Sequence, residues 1–242
     1  MSASGVRILG RIARLPLSLV PRDAAVSILH GPNRGKQWIV GSGIHRCWLG
    51  FFEPQKQKLI SRAIRSDTVF YDVGANVGFY TILGSALVGN GSVFAFEPVP
   101  RNINYLRKHI ELNHLQNATV LELAVSDANG YSRFVVEETG SMGHVATDGS
   151  LEVQTATLDS LVEAGTILPP HCIKMDIEGG EFRALLGAQQ CIRTYKPQIF
   201  LATHGQQMHE ECCQLLRSWG FECQSFGLTE DGSGELIIRP KF

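Results

Sequence analysis

From residue 68 onward the chain alternates short apolar runs with longer amphipathic ones, and that alternation leaves few folds open. Residues 68–73 form an apolar run closed by Asp72-Val73-Gly74, and residues 79–88 continue as an apolar helix. Residues 92–96 read as a strand ending at Glu97-Pro98. Residues 101–113 read as a helix with Ile103, Leu106 and Ile110 on one face. A third strand is expected over 119–125. The rhythm resumes with strand 172–177, helix 181–192 behind Gly179-Gly180, strand 198–203 and helix 208–219, stopped by Gly220. Strands that alternate with helices pair in parallel, because each crossover carries the chain back to the same end of the sheet. The expectation is a doubly wound α/β fold.

Two stretches break the rhythm. Residues 131–136 and 151–157 look like strands flanking a loop that carries Gly and Ser, as an inserted hairpin or an excursion over the sheet edge would. Residues 221–226 and 235–239, separated by Asp231-Gly232-Ser233-Gly234, fit an antiparallel pair at one edge. The architecture is therefore Rossmann-like, a mostly parallel sheet finished by an antiparallel hairpin. Ahead of it, residues 25–29 and 37–40 flank the turn-rich Gly31-Pro32-Asn33-Arg34-Gly35 as a β-hairpin, and residues 53–65 form an amphipathic helix. Residues 1–66 are read as an extension packed on a core domain of residues 67–242.

The formal net charge of −1 gives no bulk support for a nucleic-acid partner. None of the six cysteines forms a C-x-x-C pair, and no histidine stands at finger spacing. Reduced thiols in a cytoplasmic protein are expected. Residues 5–20 mix Arg7, Arg11 and Arg14 with Ile8, Leu9 and Ile12. That is too broken for a membrane span, but a basic helix there could touch an anionic membrane surface. Docking on the protein itself is the favoured alternative.

In open parallel sheets, ligands bind beyond the carboxyl ends of the strands, where the winding reverses. The turn Asp72 to Gly78 (DVGANVG) lacks the close glycine pair of a dinucleotide site and the lysine of a phosphate loop. A ligand without pyrophosphate fits better. S-adenosylmethionine (SAM) offers an amino-acid head, a sulfonium and a ribose. Asp72 is expected to attract its positive end, and Gly74 and Gly78 to allow backbone approach. Glu97, 25 residues after Asp72, stands where a carboxylate grips ribose hydroxyls. Asn76, Thr81 and Ser126 add hydrogen-bonding groups. Ordinary turn geometry and helix capping would explain the same residues singly, but less well together.

FYDVGANVGFYTIL, VFAFEPVPRNINYLRKHIELN, LAVSD and IKMDIEGGEFRALLGA together closely resemble the FkbM methyltransferases, from about Val69 to Gly227. The resemblance implies a class I SAM-dependent methyltransferase fold, SAM as donor and S-adenosylhomocysteine as product. It implies O-methylation of hydroxyls on sugars, glycans or natural products. By position, it implies SAM contacts at Asp72, Gly74, Asn76, Gly78, Glu97 and the Ser126-Asp127 turn. It leaves the acceptor and the oligomeric state open. An RNA or protein acceptor and a non-catalytic partner role are the alternatives.

An alcohol acceptor needs a base to take its proton during attack. Asp176 ends a central strand, Glu178 follows two residues on, and His204 ends the next strand. Imidazole is the better base near neutrality. His204 is therefore the expected base, with Asp176 orienting it or contacting acceptor or SAM. Asp176 and Glu178 would also suit the start of the helix near Gly180, and Glu181 is best explained by that role. His144 is a weaker candidate. Asp176, Glu178 and His204 would also suit a divalent metal, but metal-free base catalysis is preferred.

Overall fold

The structure is a computed structural model that describes residues 19–136, 143–145, 149–229 and 232–241. Residues 5–18 of the expected basic helix lie outside them. The strands are β1 (Ala25–Ser27), β2 (Gln37–Ile39), β3 (Val69–Val73), β4 (Ser92–Phe96), β5 (Ala118–Leu121), β6 (Ala124–Val125), β7 (Gly130–Val136), β8 (Gly143–Val145), β9 (Leu151–Ala156), β10 (Cys172–Met175), β11 (Gln198–Thr203), β12 (Phe221–Leu228) and β13 (Gly234–Pro240). The helices are α1 (His45–Leu49), α2 (Pro54–Ala63), α3 (Phe79–Leu87), α4 (Pro100–Leu112), α5 (Leu158–Glu163), α6 (Glu181–Leu186), α7 (Gln189–Tyr195) and α8 (Gln206–Ser218).

Seven strands make the central sheet in the order β12-β13-β11-β10-β3-β4-β5. The five from β11 to β5 run parallel, and β13 and β12 return antiparallel. Winding runs outward from β3 to β5 on one side and from β10 to β11 on the other. It reverses between β3 and β10, so a crevice opens past their carboxyl ends.

Every residue of β3 is buried, because helices cover both sheet faces. The period of two sorts its side chains. Val69, Tyr71 and Val73 enter one core cluster with Ile173, Met175, Ile199 and Leu201. Phe70 enters the other, with Trp38, Ile60, Ile82 and Leu83. Phe70 and Tyr71 are wholly buried, each stabilising the fold by about 1.5–3 kcal/mol through lost apolar exposure.

Two expected elements divide. The strand over 119–125 breaks at Glu122 and Leu123: β5 stays in the main sheet while β6 joins a second sheet, ordered β6-β9-β7-β8. Glu122 turns outward to pair with Arg107, and Leu123 turns into the core. The helix over 181–192 breaks at Gly187-Ala188 into α6 and α7. A Cβ on Gly187 would overlap the Ser126 carbonyl oxygen, so the chain passes there with no room for a continued turn. Asp159 receives the freed amides of Gln190 and Cys191 at 3.0 and 2.8 Å.

The hairpin β1–β2 is held by side chains from α4. His109 stacks on Trp38 at 4.2 Å, and its Nε2 accepts from the Ile39 amide at 3.0 Å. Asn113 accepts from the Gln37 amide at 2.7 Å. Among the described residues no helix is long and apolar enough to cross a membrane. All six cysteines are free thiols, five of them buried.

Candidate active site

A cavity of about 610 Å³ lies over the carboxyl ends of β3, β4 and β10. Its floor is the turn Gly74 to Val77, Glu97 to Val99, and Asp176 to Gly180. Ala124, Val125 and Ser126 form one wall. The opposite wall comes from the N-terminal segment, through Trp38, Ile44, Phe52 and Glu53.

Of the residues singled out from the sequence, the cavity brings together Gly74, Asn76, Glu97, Ser126, Asp176 and Glu178. Glu97 is nearly wholly buried. Its Oε2 accepts from the Asn76 amide at 2.8 Å, and its Oε1 from the Val99 amide at 2.9 Å and from Asn102 at 3.3 Å. Burial nonetheless pushes its carboxyl above the usual range. Asn76 sits at φ 51, and its side-chain oxygen accepts from the Val77 amide at 2.8 Å. The turn is thus fixed before any ligand enters.

Asp72, Gly78, Thr81, Asp127 and His204 do not line the cavity. Asp72 shares the sheet face of Phe70, under α3. It is fully buried, accepts from Thr81 at 2.7 Å and pairs with Lys174 at 3.3 Å. Its charge is paired within the protein, and it lies beneath the cavity rather than in its lining, where it was expected to meet a ligand's positive end. Thr81 is likewise fully buried against it. Gly74 and Gly78, both expected to allow backbone approach, are closely packed, and Gly74 also lines the cavity. A Cβ on Gly74 would overlap the Asp176 carbonyl oxygen, and one on Gly78 would lie 2.5 Å from Leu106 Cδ1. Both hold positive φ, at 75 and 94°. Asp127 turns outward to Arg183, at 3.0 and 2.9 Å, and that bond lowers its pKa.

His204 sits behind Asp176 in a carboxylate cage. Its Nδ1 lies 2.8 Å from Glu181 Oε1, and its Nε2 lies 3.3 Å from Glu178 and 3.8 Å from Asp176. The bond to Glu181 raises its pKa to about 9, against the opposing effect of burial. A pKa raised to about 9 favours the imidazolium at neutral pH. The residue expected as base thus stands among carboxylates and outside the cavity lining. Glu181 does more than start a helix: fully buried, its Oε1 also accepts from the Ile177 and Gly179 amides at 3.3 and 3.2 Å. His144 lies on β8, opposite Val135.

Sequence reasoning missed Lys56. Only 2% exposed, its ammonium pairs with Glu53 and Asp176 at 3.2 Å and with Glu235 at 2.5 Å. Burial opposes its charge, but the three carboxylates outweigh that and hold it above the ordinary lysine range. Lys56, Lys174 and His204 likewise hold Asp176 below the usual carboxylate range, although burial works the other way. No local signal marked Lys56, whose partners lie up to 179 residues away, at Glu235.

Among the described residues, two trios have ligand atoms close enough for a metal: Asp176, Glu178 and His204, and Glu53, Asp176 and Glu235. The second already holds the Lys56 ammonium. In the first, ligation needs neutral imidazole, whereas the cage favours the protonated ring.

Comparison with known proteins agrees with this architecture. The crystal structure of methyltransferase FkbM from Methylobacillus flagellatus superposes with a TM-score of 0.51 at 21% identity, over 71% of this chain and 43% of that one. An rRNA methylase from Streptococcus thermophilus gives 0.51 at 9% identity, over 78% and 96%. At such identities the likeness shows the fold alone, that of the class I methyltransferases. The hexuronic acid methyltransferase AglP of Haloferax volcanii is 30% identical over 141 residues, 57% of this chain and 56% of that protein. The chain thus spans about half the length of that relative. The model of the methyltransferase FkbM domain matches residues 72–223. That match covers well over half of the chain, which therefore belongs to the FkbM methyltransferase family.

Proposed function

We propose that the protein is a SAM-dependent methyltransferase that O-methylates a sugar or glycan hydroxyl. The observation that carries this reading is the cavity at the winding reversal, lined at once by Glu97 and Asp176. The space fits the donor: a compact, partly apolar crevice with a carboxylate at the end of β4. Glu97, braced by three donors, keeps lone pairs for ribose hydroxyls. The turn from Gly74 to Val77 would hold the donor's amino-acid portion, and Ala124 to Ser126 would line its base. When bound, SAM supplies an electrophilic methyl group on a sulfonium.

The protein's own work is alignment, water exclusion and proton removal. Asp176 and Glu178 both reach the cavity from the β10 end, and Asp176, next to the strand, takes the acceptor's proton as attack proceeds. His204 stabilises and orients Asp176 as an imidazolium rather than acting as base itself. AglP, named for a hexuronic acid acceptor, supports a sugar as the acceptor class. The cavity's charged lining counts against a polyanion: among the described lining residues, Glu53, Glu97, Asp176 and Glu178 outnumber Lys174 and Arg183.

Calorimetry with SAM and S-adenosylhomocysteine tests the donor, and methyl transfer from labelled SAM to a glycan panel tests the acceptor. Folded protein that binds neither donor nor product overturns the reading.

A further inference from the structure

The cavity wall supplied by the N-terminal segment ends in an outlier. Glu53 precedes Pro54, yet it holds φ 43 and ψ 58, a left-handed conformation that a residue before proline avoids. Something must hold it there. Its Oε2 accepts from the Tyr80 hydroxyl at 2.7 Å and pairs with Lys56 at 3.2 Å. Lys56 lies 5.8 Å above the Tyr80 ring. The strained residue is thereby tied to the same buried ammonium that binds Asp176.

Glu53 and Asp176 both line the cavity, and one oxygen of each lies within 4.8 Å of the other. Two carboxylates so close repel unless a cation is shared between them. Lys56 is that cation, set behind them at 3.2 Å from each, while Glu235 backs it at 2.5 Å. Both residues contribute to the cavity lining, and a carboxylate only accepts hydrogen bonds. Adjacent hydroxyls 2–3 Å apart are the complementary ligand in chemistry and spacing, on the order of one hydrogen-bond length. An anionic group placed there would meet Glu53, Asp176 and Glu178 with no unpaired cation among the described lining residues. Lys174 is committed to Asp72 and Arg183 to Asp127.

We propose that Glu53 and Asp176 form a two-carboxylate clamp for neighbouring hydroxyls of an uncharged sugar, with Lys56 as the positioning residue that holds the pair together. The proposal rests on the methyltransferase reading for its meaning, though the clamp can be measured without turnover. Glu53, Lys56 and Glu235 all lie outside the stretch matched by the family model, residues 72–223. One half of the clamp and its cation thus come from parts of the chain outside the matched stretch, while Asp176 lies within it. The clamp also separates this protein from a uronate enzyme: the carboxylate of a hexuronic acid would be repelled from it.

The test uses the full chain with ¹³C-labelled side-chain carboxyls, followed by NMR with and without S-adenosylhomocysteine. The probes are methyl glucoside and methyl glucuronide. The glucoside should shift the Glu53 and Asp176 resonances together, and the glucuronide should bind at least tenfold more weakly. Lys56→Met should raise the Asp176 titration midpoint and abolish the glucoside response, with product affinity changed less than threefold. Lys56→Arg should restore both, which a merely structural lysine would not require. If Lys56→Met does not fold, Glu53→Gln takes its place and should lose the paired shift. Equal or tighter binding of the glucuronide overturns the proposal, as does a glucoside that leaves both carboxyls unmoved. Failure to bind S-adenosylhomocysteine with the glucoside response intact would instead remove the methyltransferase reading and leave the clamp standing.

Discussion

Gly74 touches the main chain of Asp176 across the point where the sheet reverses its winding, so closely that a Cβ on the glycine would overlap the Asp176 carbonyl oxygen. The glycine turn after β3 and the carboxylate after β10 are therefore held together. Gly74→Ala adds both that overlap and a left-handed strain at φ 75. It should lower stability by at least about 2 kcal/mol and lose SAM binding at temperatures where the protein stays folded. Urea unfolding and calorimetry check the two effects.

Lys174 and Asp72 are a buried pair, 4 and 0% exposed. Lys174→Met removes the cation and strands a charge in the core, at a cost of about 3–5 kcal/mol. Adding Asp72→Asn should recover a large part, because no uncompensated charge remains. A double-mutant cycle by urea unfolding reads this directly, and a double variant no better than the single one would contradict it.

His204 should titrate near 9 rather than near its ordinary 6.5. Its raised value means that the stabilisation from the cage is complete below pH 6.5 and disappears as pH rises through about 9. Turnover should show an alkaline limb in that region. Glu181→Gln should shift the His204 midpoint downward, since Glu181 is the largest cause of the rise. Histidine NMR gives the midpoints, and an unperturbed value in the parent protein would refute the cage.

His109 behaves in the opposite sense. Burial holds its pKa down at about 4, with Nδ1 2.7 Å from the Val77 carbonyl oxygen and Nε2 accepting from Ile39. Its neutral form stabilises the fold fully above pH 6.5, and that contribution is lost as pH falls towards 4. The full loss is about 3 kcal/mol for a shift of this size. Glu97 opposes this, because its raised value favours the folded state on acidification. The comparison is therefore between parent protein and His109→Gln, whose difference in stability should shrink between pH 7 and pH 4.

The strand and helix rhythm was legible because both periods are local. Glu97 and Asp176 were legible because a strand end points where the sheet sends it. Asp72 was misplaced for a reason also present in the sequence: it is two residues from Phe70, so it shares that side chain's face and goes under α3 rather than into the crevice. His204 was expected to act as base beside the crevice, but it stands behind Asp176 and outside the cavity lining, among carboxylates that favour its protonated form. Its charge depends on Glu181 and Glu178, which come near only when β10 and β11 pair. Lys56 was invisible because its meaning lies in three carboxylates, two of them far along the chain. The divided strand and helix followed from tertiary contacts at Leu123 and Gly187 that no local pattern encodes.

The hairpin β1–β2 carries a consequence for the order of assembly. Its amides at Ile39 and Gln37 are satisfied by His109 and Asn113, which lie 70 and 76 residues later. During synthesis the hairpin emerges first and waits, its backbone still hydrated, until α4 has left the ribosome. A two-stranded ribbon has little stability alone, so the wall of Trp38, Phe52 and Glu53 closes only after the donor-side turn exists. The hairpin is thus an early stretch of chain whose amides at Ile39 and Gln37 find their side-chain partners only once His109 and Asn113 have been made.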